Sequence, residues 1–229
     1  MKKISILYDD GQFIIFNKPS GVLVTPAPGK TQNFLTRIVN EQYPHEGLAL
    51  HPCHRLDQST SGVIVYAKGK KNQQLMMQLF QQGRVHKTYL AFVKGRLKQR
   101  SGTLAEKVQD YHQKKFSDKS RAKPASTRFQ VMTYGKGFTI VKVVPETGRT
   151  NQIRIHFAHI GHPLLGERIY AMRRDFDIDM KRLALHAMHV SFNHPLTGKE
   201  VSVEAELPED MKGFLKGSGI DISFVNKFI

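Results

Sequence analysis

The stretch HRLDQSTSG, residues 54–62, sets one carboxylate, Asp57, two positions after the guanidinium of Arg55 and just ahead of small polar residues and the apolar run GVIVYA. A lone Asp in a loop either closes a local turn or does chemistry. Chemistry needs a partner that keeps the carboxylate ionised and oriented. An arginine does both, through paired hydrogen bonds and by lowering the carboxyl pKa. Arg55, Arg149 and Arg154 are the candidates, and residue type alone does not choose among them. Ser59, Thr60 and Ser61 offer hydroxyls, but nothing marks a base and an orienting partner for them. A polar turn entering a strand accounts for all three.

Eleven histidines raise the question of metal. HPCH (51–54) and the trio His156, His159 and His162 both look ligand-like. Zinc, however, wants a closed set of ligands at workable spacing. His162 follows Gly161, beyond the expected helix end, and HPCH has no second half such as CxxC or HxxxH. Packing or phosphate contacts explain these histidines, and no metal is expected. There is also no GxGxxG, GxxxxGK[ST] or GxSxG, so dinucleotide, nucleotide-hydrolase and serine-hydrolase readings lack support.

Charge is more informative. Thirty-five Lys and Arg against nineteen Asp and Glu give a net charge of +16, and the pI is near 10.0. Basic side chains release the counterions condensed on phosphates, so such an excess points to a polyanion. The charge is also clustered. No acidic residue falls between Asp57 and Glu106, whereas Lys68, Lys70, Lys71, Arg84, Lys87, Lys94, Arg96, Lys98 and Arg100 all do. A nucleic acid is the expected partner. A membrane is not expected: no strongly amphipathic basic helix is evident, and the longest apolar runs are too short to span a bilayer. The first apolar stretch meets Asp9 and Asp10 at once, unlike a signal peptide. A single cysteine, Cys53, allows no internal disulfide and suits a cytoplasmic setting.

These residues need elements to position them. ISILYDDGQFIIFNKPSG predicts a hairpin turning at Asp9-Asp10-Gly11. TQNFLTRIVNEQYP predicts a helix stopped by Pro44, with Phe34, Leu35, Ile38 and Val39 on one face. GVIVYAK is a strand and KKNQQLMMQLFQQG a helix capped by Gly83, its Met pair serving as core filler. KTYLAFVKG is a strand, and 110–128, with six Lys or Arg against two Asp, is expected to be an exposed loop or arm. FQVMTY and FTIVKVVP pair through Gly135-Lys136-Gly137. TNQIRIHFAHIG is a helix, with Thr150 as N-cap, Ile153, Phe157 and Ile160 on one face, and Gly161 as its stop. HVSFNHPLTGKEVSVEAEL supplies two closing strands. The fold expected is α+β: a mixed, mainly antiparallel sheet with flanking helices and a central active-site cleft. The 229 residues, 40% hydrophobic, suffice for a real core and are taken as one catalytic domain, residues 1–229.

HRLDQSTSG resembles the central motif HRLDxxTSG of the RluA-type pseudouridine synthases at every fixed position. Four further segments follow in that family's order. FIIFNKPSGVLVTP is similar to its N-terminal strand and turn, and HKTYLAFVKG to its K-x-Y strand. PETGRTNQIRIHFAHIGHPLLGERIY is similar to its TGRxHQIRxHxxxxGHPxxGDxxY block, and LALHAMHVSFNHP to its LxLHA segment. The resemblance runs from about Ile4 to Pro208, and no chain is left over for the small RNA-binding domain that some members carry in front.

The resemblance implies an isomerase that acts on uridines of ribosomal RNA, transfer RNA or both, with no metal and no cofactor. It implies that Asp57 is the catalytic carboxylate, that Arg154 pairs with it, and that Tyr89 stacks on the target uracil. Arg55 is implied to fill the space of the flipped-out base, and Leu185 to line the pocket. The chemistry agrees. A stacked base must be extruded before its glycosidic bond can be reached, and a detached uracil must be held by walls while it turns. Two positions depart from the pattern: Asn151 stands where His is usual, and Glu167 where Asp is usual. A monomer is expected, with neither DNA nor membrane as partner. A non-catalytic RNA-binding or ribosome-assembly factor on the same fold would explain the charge, but not Asp57, Tyr89 and Arg154 together. A metal-dependent nuclease would need an acidic cluster that the sequence lacks.

Overall fold

A computed structural model describes residues 2–27, 33–44, 47–109, 122–172, 178 and 180–223. The chain forms two compact units: Met1–Lys87 with His186–Leu207, and Thr88–Leu185 with Pro208–Ile229.

In the first unit, β1 (Ser5–Asp9) and β2 (Phe13–Lys18) form the expected hairpin. Asp10 makes its turn, its Oδ1 accepting from the backbone N–H groups of Gln12 and Phe13, both at 2.7 Å. β2 pairs antiparallel with β4 (Ser61–Lys68), from Phe13 opposite Ala67 to Lys18 opposite Gly62. β3 (Leu50–Pro52) runs antiparallel along one end of β4, and β9 (Leu185–Asn193) runs parallel to its other end. β10 (Glu200–Glu204) adds antiparallel to β9. Two helices explain why FIIF and VIVYA are apolar at every position instead of alternating. α2 (Lys70–Gln81) brings Met76 and Leu79 against a core that holds Phe13, Ile15, Val63, Val65, Val190 and Phe192. α1 (Leu35–Gln42) lies toward the alternate residues: its capping Tyr43 meets the Phe16 ring at 5.5 Å, and Thr36 Oγ1 meets the Tyr66 hydroxyl at 3.0 Å. A sheet covered on both faces is apolar on both. Of the expected Met pair, Met76 is buried, whereas Met77 is exposed.

In the second unit, β5 (His86–Lys94), β8 (Phe138–Pro145), β7 (Lys123–Gly135) and β6 (Ser101–Val108) lie in that antiparallel order. β7 and β8 turn at Lys136-Gly137, as expected, with Gly137 at φ +80°. α3 (Gln152–His159) packs Ile155 against Val108 and Ala125, and Phe157 edge-on to Phe129. α4 (Glu209–Gly217) stacks Phe214 on Phe92 and sets it at a tilt against Phe138. The result is α+β with a mixed, mainly antiparallel pairing. Among the described residues, no helix is long and apolar enough to cross a membrane.

Three expectations need correction. β7 begins at Lys123, so residues 123–128 are not an exposed loop: Ala125, Thr127 and Phe129 alternate inward beneath a polar face. Residues 110–121 lie outside the described set. Thr150 is not the N-cap of α3. That position is Asn151, held left-handed at φ 54° and ψ 18°, a conformation asparagine tolerates better than most residues. Ile160 is exposed and follows the helix instead of extending its buried face. α4 and β6 were not anticipated. The glycines of EDMKGFLKG weaken its helical signal, and SGTLAEKV carries little β-branched or aromatic content.

Candidate active site

Asp57 and Arg55 share the loop between β3 and β4 in the first unit, Asp57 half-buried and Arg55 exposed. The loop is fixed at both ends. Before Asp57, the Cys53 N–H donates to the Val65 carbonyl at 2.9 Å, and Val65 returns its N–H to His54 Nε2 at 3.0 Å. That accepting nitrogen requires a neutral imidazole. Burial pushes the His54 pKa down to about 3, helped by the nearby Lys87 charge, and Phe80 packs against the ring at 4.6 Å.

After Asp57, the segment Lys18–Gly21 clamps the loop. Gly21 and Gln58 exchange two bonds: Gly21 N–H to the Gln58 carbonyl at 2.8 Å, and Gln58 Nε2 to the Gly21 carbonyl at 2.9 Å. Ser20 Oγ donates to the Ser59 carbonyl at 2.7 Å. The wholly buried Lys18 ammonium donates to the carbonyls of Pro19, Val22 and Gln58 at 2.9, 2.7 and 3.1 Å. The KPSG turn is therefore the seat of the Asp57 loop. Asp57 also closes a turn of its own, its carbonyl accepting from the Thr60 N–H at 3.1 Å.

The end of the motif anchors to LHA. Gly62 sits at φ +111°, and a Cβ there would fall 2.0 Å from the Ala187 carbonyl oxygen, so only glycine permits this approach of β9. Next to it, Ser61 Oγ and His186 Nδ1 lie 2.8 Å apart, while His186 Nε2 lies 3.2 Å from the Ala205 carbonyl. A carbonyl can only accept, so Nε2 carries the proton and Ser61 donates to Nδ1. Both residues are buried, which makes the pair a structural tie and not a nucleophile with its base.

The second unit holds Tyr89, Arg154 and Leu185. Tyr89 stands on β5 opposite Val143 of β8 and is nearly buried. Leu185 is buried at the start of β9, next to Ala184, whose N–H donates to the Leu165 carbonyl at 2.9 Å and whose carbonyl accepts from the Phe92 N–H at 3.1 Å. Arg154 projects from α3 and is also buried. Its Nε and Nη2 donate to the two Glu167 oxygens at 2.7 and 2.8 Å, and Nη1 donates to Asn151 Oδ1 at 2.7 Å. Asn151 Nδ2 donates in turn to the Tyr170 hydroxyl at 3.0 Å, and the Tyr170 ring lies 5.0 Å from the guanidinium carbon. Burial alone would raise the Glu167 carboxyl. Hydrogen bonds and charge from Arg154, with the N–H groups of Ile169 and Tyr170, outweigh it and hold the carboxyl below its ordinary value. Gly166, at φ +74°, lets the GERIY turn pass over the Arg182 carbonyl, which a Cβ would meet at 2.0 Å.

The two positions that depart from the family pattern, Asn151 and Glu167, thus hold one and the same guanidinium. Glu167 was placed by its motif, but its role was not legible, because a carboxylate thirteen residues away reaches Arg154 only through the fold. Arg149, the rival arginine, is exposed, and its Nε donates to the Pro124 carbonyl of β7 at 3.2 Å. Among the described residues, no group of three or more His, Cys, Asp or Glu stands where it could hold a metal ion. His186 and His54 are packed or hydrogen-bonded as described, and His162 Nδ1 lies 2.7 Å from the Lys94 carbonyl.

The family model described as RNA pseudouridylate synthase matches residues 12–159. The chain is 34% identical over 221 residues to the ribosomal large subunit pseudouridine synthase C of Buchnera aphidicola subsp. Schizaphis graminum, covering 92% of this chain and 69% of that protein. It is 35% identical over 200 residues to the dual-specificity RNA pseudouridine synthase RluA of Vibrio vulnificus, covering 83% and 78%. Among solved structures, human RNA pseudouridylate synthase domain containing 1 superposes with a TM-score of 0.75 at 26% identity, covering 90% of this chain and 84% of that one. With its central motif seated in a fold that such proteins share, the chain belongs to the RNA pseudouridylate synthase family, isomerases that convert uridine in RNA to pseudouridine.

Proposed function

We propose that the chain isomerises specific uridines in ribosomal RNA, transfer RNA or both, with Asp57 as the catalytic carboxylate. Residues 1–229 act as one catalytic domain, a cytoplasmic monomer that needs no metal or cofactor and takes neither DNA nor membrane as partner. The observation that carries the reading is the Asp57 loop itself: a half-buried carboxylate on a loop that hydrogen bonds to its backbone fix on both sides. A relative named for the ribosomal large subunit supports ribosomal RNA as a target, and a dual-specificity relative supports a second target class.

In this reading the bond from uracil N1 to ribose C1′ breaks, the base turns, and C5 bonds to C1′. The C5 proton leaves and N1 regains one, so atoms balance without an oxidant or a second substrate. Asp57 serves as nucleophile at C1′ or as base toward a ribose proton; both roles need it ionised. Glu167 and Asn151 fix the Arg154 guanidinium, and that oriented guanidinium is proposed to hold Asp57 ionised. Tyr89 stacks on the uracil, Leu185 forms the apolar wall, and Arg55, exposed at the loop, takes the place of the extruded base. The test is pseudouridine-specific chemical labelling of unmodified ribosomal and transfer RNA incubated with the purified chain in excess chelator. Label at a few discrete uridines is expected. Absence of label from both RNAs sinks the reading.

A further inference from the structure

The acid-free window of the sequence is divided by the fold. Lys68 pairs with Asp9, Lys87 is part-buried, and Arg96, Lys98 and Arg100 gather on the single loop between β5 and β6. All three of these side chains are exposed, and with Leu97 and Tyr134 they line an open cavity of about 680 Å³ within the second unit.

The loop is built, not slack. Gly95 N–H donates to the Gly137 carbonyl at 2.7 Å, and Leu97 N–H donates to Thr139 Oγ1 at 3.2 Å. The Thr139 hydroxyl donates to the Gly95 carbonyl at 2.7 Å. Leu97 is buried beneath the loop, its carbonyl accepts from the Tyr134 hydroxyl at 3.3 Å, and the Arg96 guanidinium lies 3.9 Å from the centre of the Tyr134 ring. No counter-charge shares in this order: among the described residues, no carboxylate stands within ion-pair distance of Arg96, Lys98 or Arg100. The described carboxylates of the unit are engaged elsewhere, Glu106 with His159, Glu146 with Arg128, Glu167 with Arg154, Asp210 with Arg182, Glu209 with Lys212 and Asp221 with Ser223. Like charges held close without a counter-ion repel, and an anion placed among them relieves that cost.

We propose that this loop is an accessory RNA-binding surface, holding phosphates of the substrate that lie outside the target nucleotide. It rests on the reading of RNA as substrate and adds where the flanking strand is held. An open cavity with cations spread along its wall and an aromatic ring beside them suits a polynucleotide better than one small anion. Tyr89 and Lys94 stand five residues apart on β5, about 17 Å at strand rise. That equals about five steps of a helical strand at 3.4 Å each, so the loop meets RNA well away from the base at Tyr89.

The test removes three charges in two ways in the full chain. R96Q/K98Q/R100Q strips the loop, whereas R37Q/R128Q/K212Q strips the same charge from cations that have carboxylate partners. Affinity for a ribosomal RNA fragment is measured by filter binding from about 50 to 200 mM salt. The loop variant should bind about tenfold more weakly, with the salt slope reduced by about 2 to 3, while the control stays within about twofold of wild type. K98E/R100E leaves the Arg96–Tyr134 stack in place and should weaken binding at least as much. On an RNA trimmed to fewer than about five nucleotides either side of the target, wild type and loop variant should bind alike. A loop variant that tracks the control, or a difference that persists on the trimmed RNA, overturns the proposal. So does unchanged RNA affinity with lost binding to phosphatidylserine vesicles, which would make the surface a membrane contact. Binding is read without turnover, so failure of the unaltered chain to form pseudouridine counts against the Asp57 chemistry alone.

Discussion

The Asp57 loop and the Arg154 cluster hold their charged groups by different means. Around Asp57 the fixing contacts are several and separate: two backbone–backbone bonds, and the side chains of Lys18, Ser20, Gln58 and a neutral His54 each meeting backbone groups. Around Arg154 the fixing contact is a buried ion pair, with Asn151 and Tyr170 completing the shell. Contacts shared among several residues lose little when one hydroxyl or amide is removed. A buried ion pair is rigid, but losing one partner strands the other charge in a dry site. The loop should therefore fail by small steps and the cluster all at once.

The largest effect tests the chemistry assigned to the loop. Asp57→Asn should lower turnover by about 10³-fold or more while RNA affinity and melting temperature stay near wild type, because the carboxylate is half-buried and its loop is held by other groups. An Asn variant with near wild-type turnover in single-turnover labelling would remove Asp57 from the mechanism. The cluster comes next. Glu167→Gln should destabilise the fold by about 3 kcal/mol in urea denaturation, and turnover should fall with it. Arg154→Lys keeps the charge but loses the planar fork, so it should cost turnover without a matching loss of RNA affinity. If Asn151 and Glu167 act as one adjustment around Arg154, the double change Asn151→His with Glu167→Asp should be less harmful than the two single changes added. Simple additivity would separate them.

Acid distinguishes the two regions. The Glu167 pKa is held below its unfolded value of about 4.3, so its stabilisation is present above that pH and is lost as pH falls through the folded value. His54 is held neutral with a folded pKa of about 3 against about 6.5 unfolded. Its contribution therefore falls as pH drops from about 6.5 toward 3, by about 1 kcal/mol per unit, because only the unfolded chain takes up the proton. His156, also lowered by burial, acts in the same direction. Denaturation midpoints from pH 7 to 3 should thus decline before any carboxylate titrates. His54→Gln should flatten the upper part of that profile, and Glu167→Gln only the part below about pH 4.5. Identical profiles for the two variants would erase the distinction. The smallest effect is Ser20→Ala, which removes one of the bonds from the KPSG turn to the loop and should cost about 1 kcal/mol, with turnover reduced a few-fold.

The hairpin, most strands and three helices were legible, because apolar period and turn residues act over a few neighbours: Asp10 turns its own hairpin, and Gly83 and Gly161 end their helices at positive φ. β6, the start of β7 and α4 were not. Their sequences are weak locally, and packing of Ile155 on Val108 and Ala125 and of Phe214 on Phe92 supplies what propensity lacks.

The sequence by itself determined that the chain is strongly basic, that Asp57 stands in a motif with Arg55 and Gly62, and that Arg154 and Tyr89 belong to the same ordered set of blocks. These are matters of residue type and order. Only tertiary structure decided that KPSG seats the Asp57 loop, that Gly62 is required by a β9 carbonyl, and that Asn151 and Glu167 converge on Arg154. It also decided which of nine clustered cations stand together on one loop with no carboxylate among the described residues within ion-pair distance. Most of those facts are distances between residues apart in the chain, from 13 residues for Arg154 and Glu167 to 125 for Ser61 and His186, and such distances are set by strand pairing and burial, which no local stretch of sequence encodes.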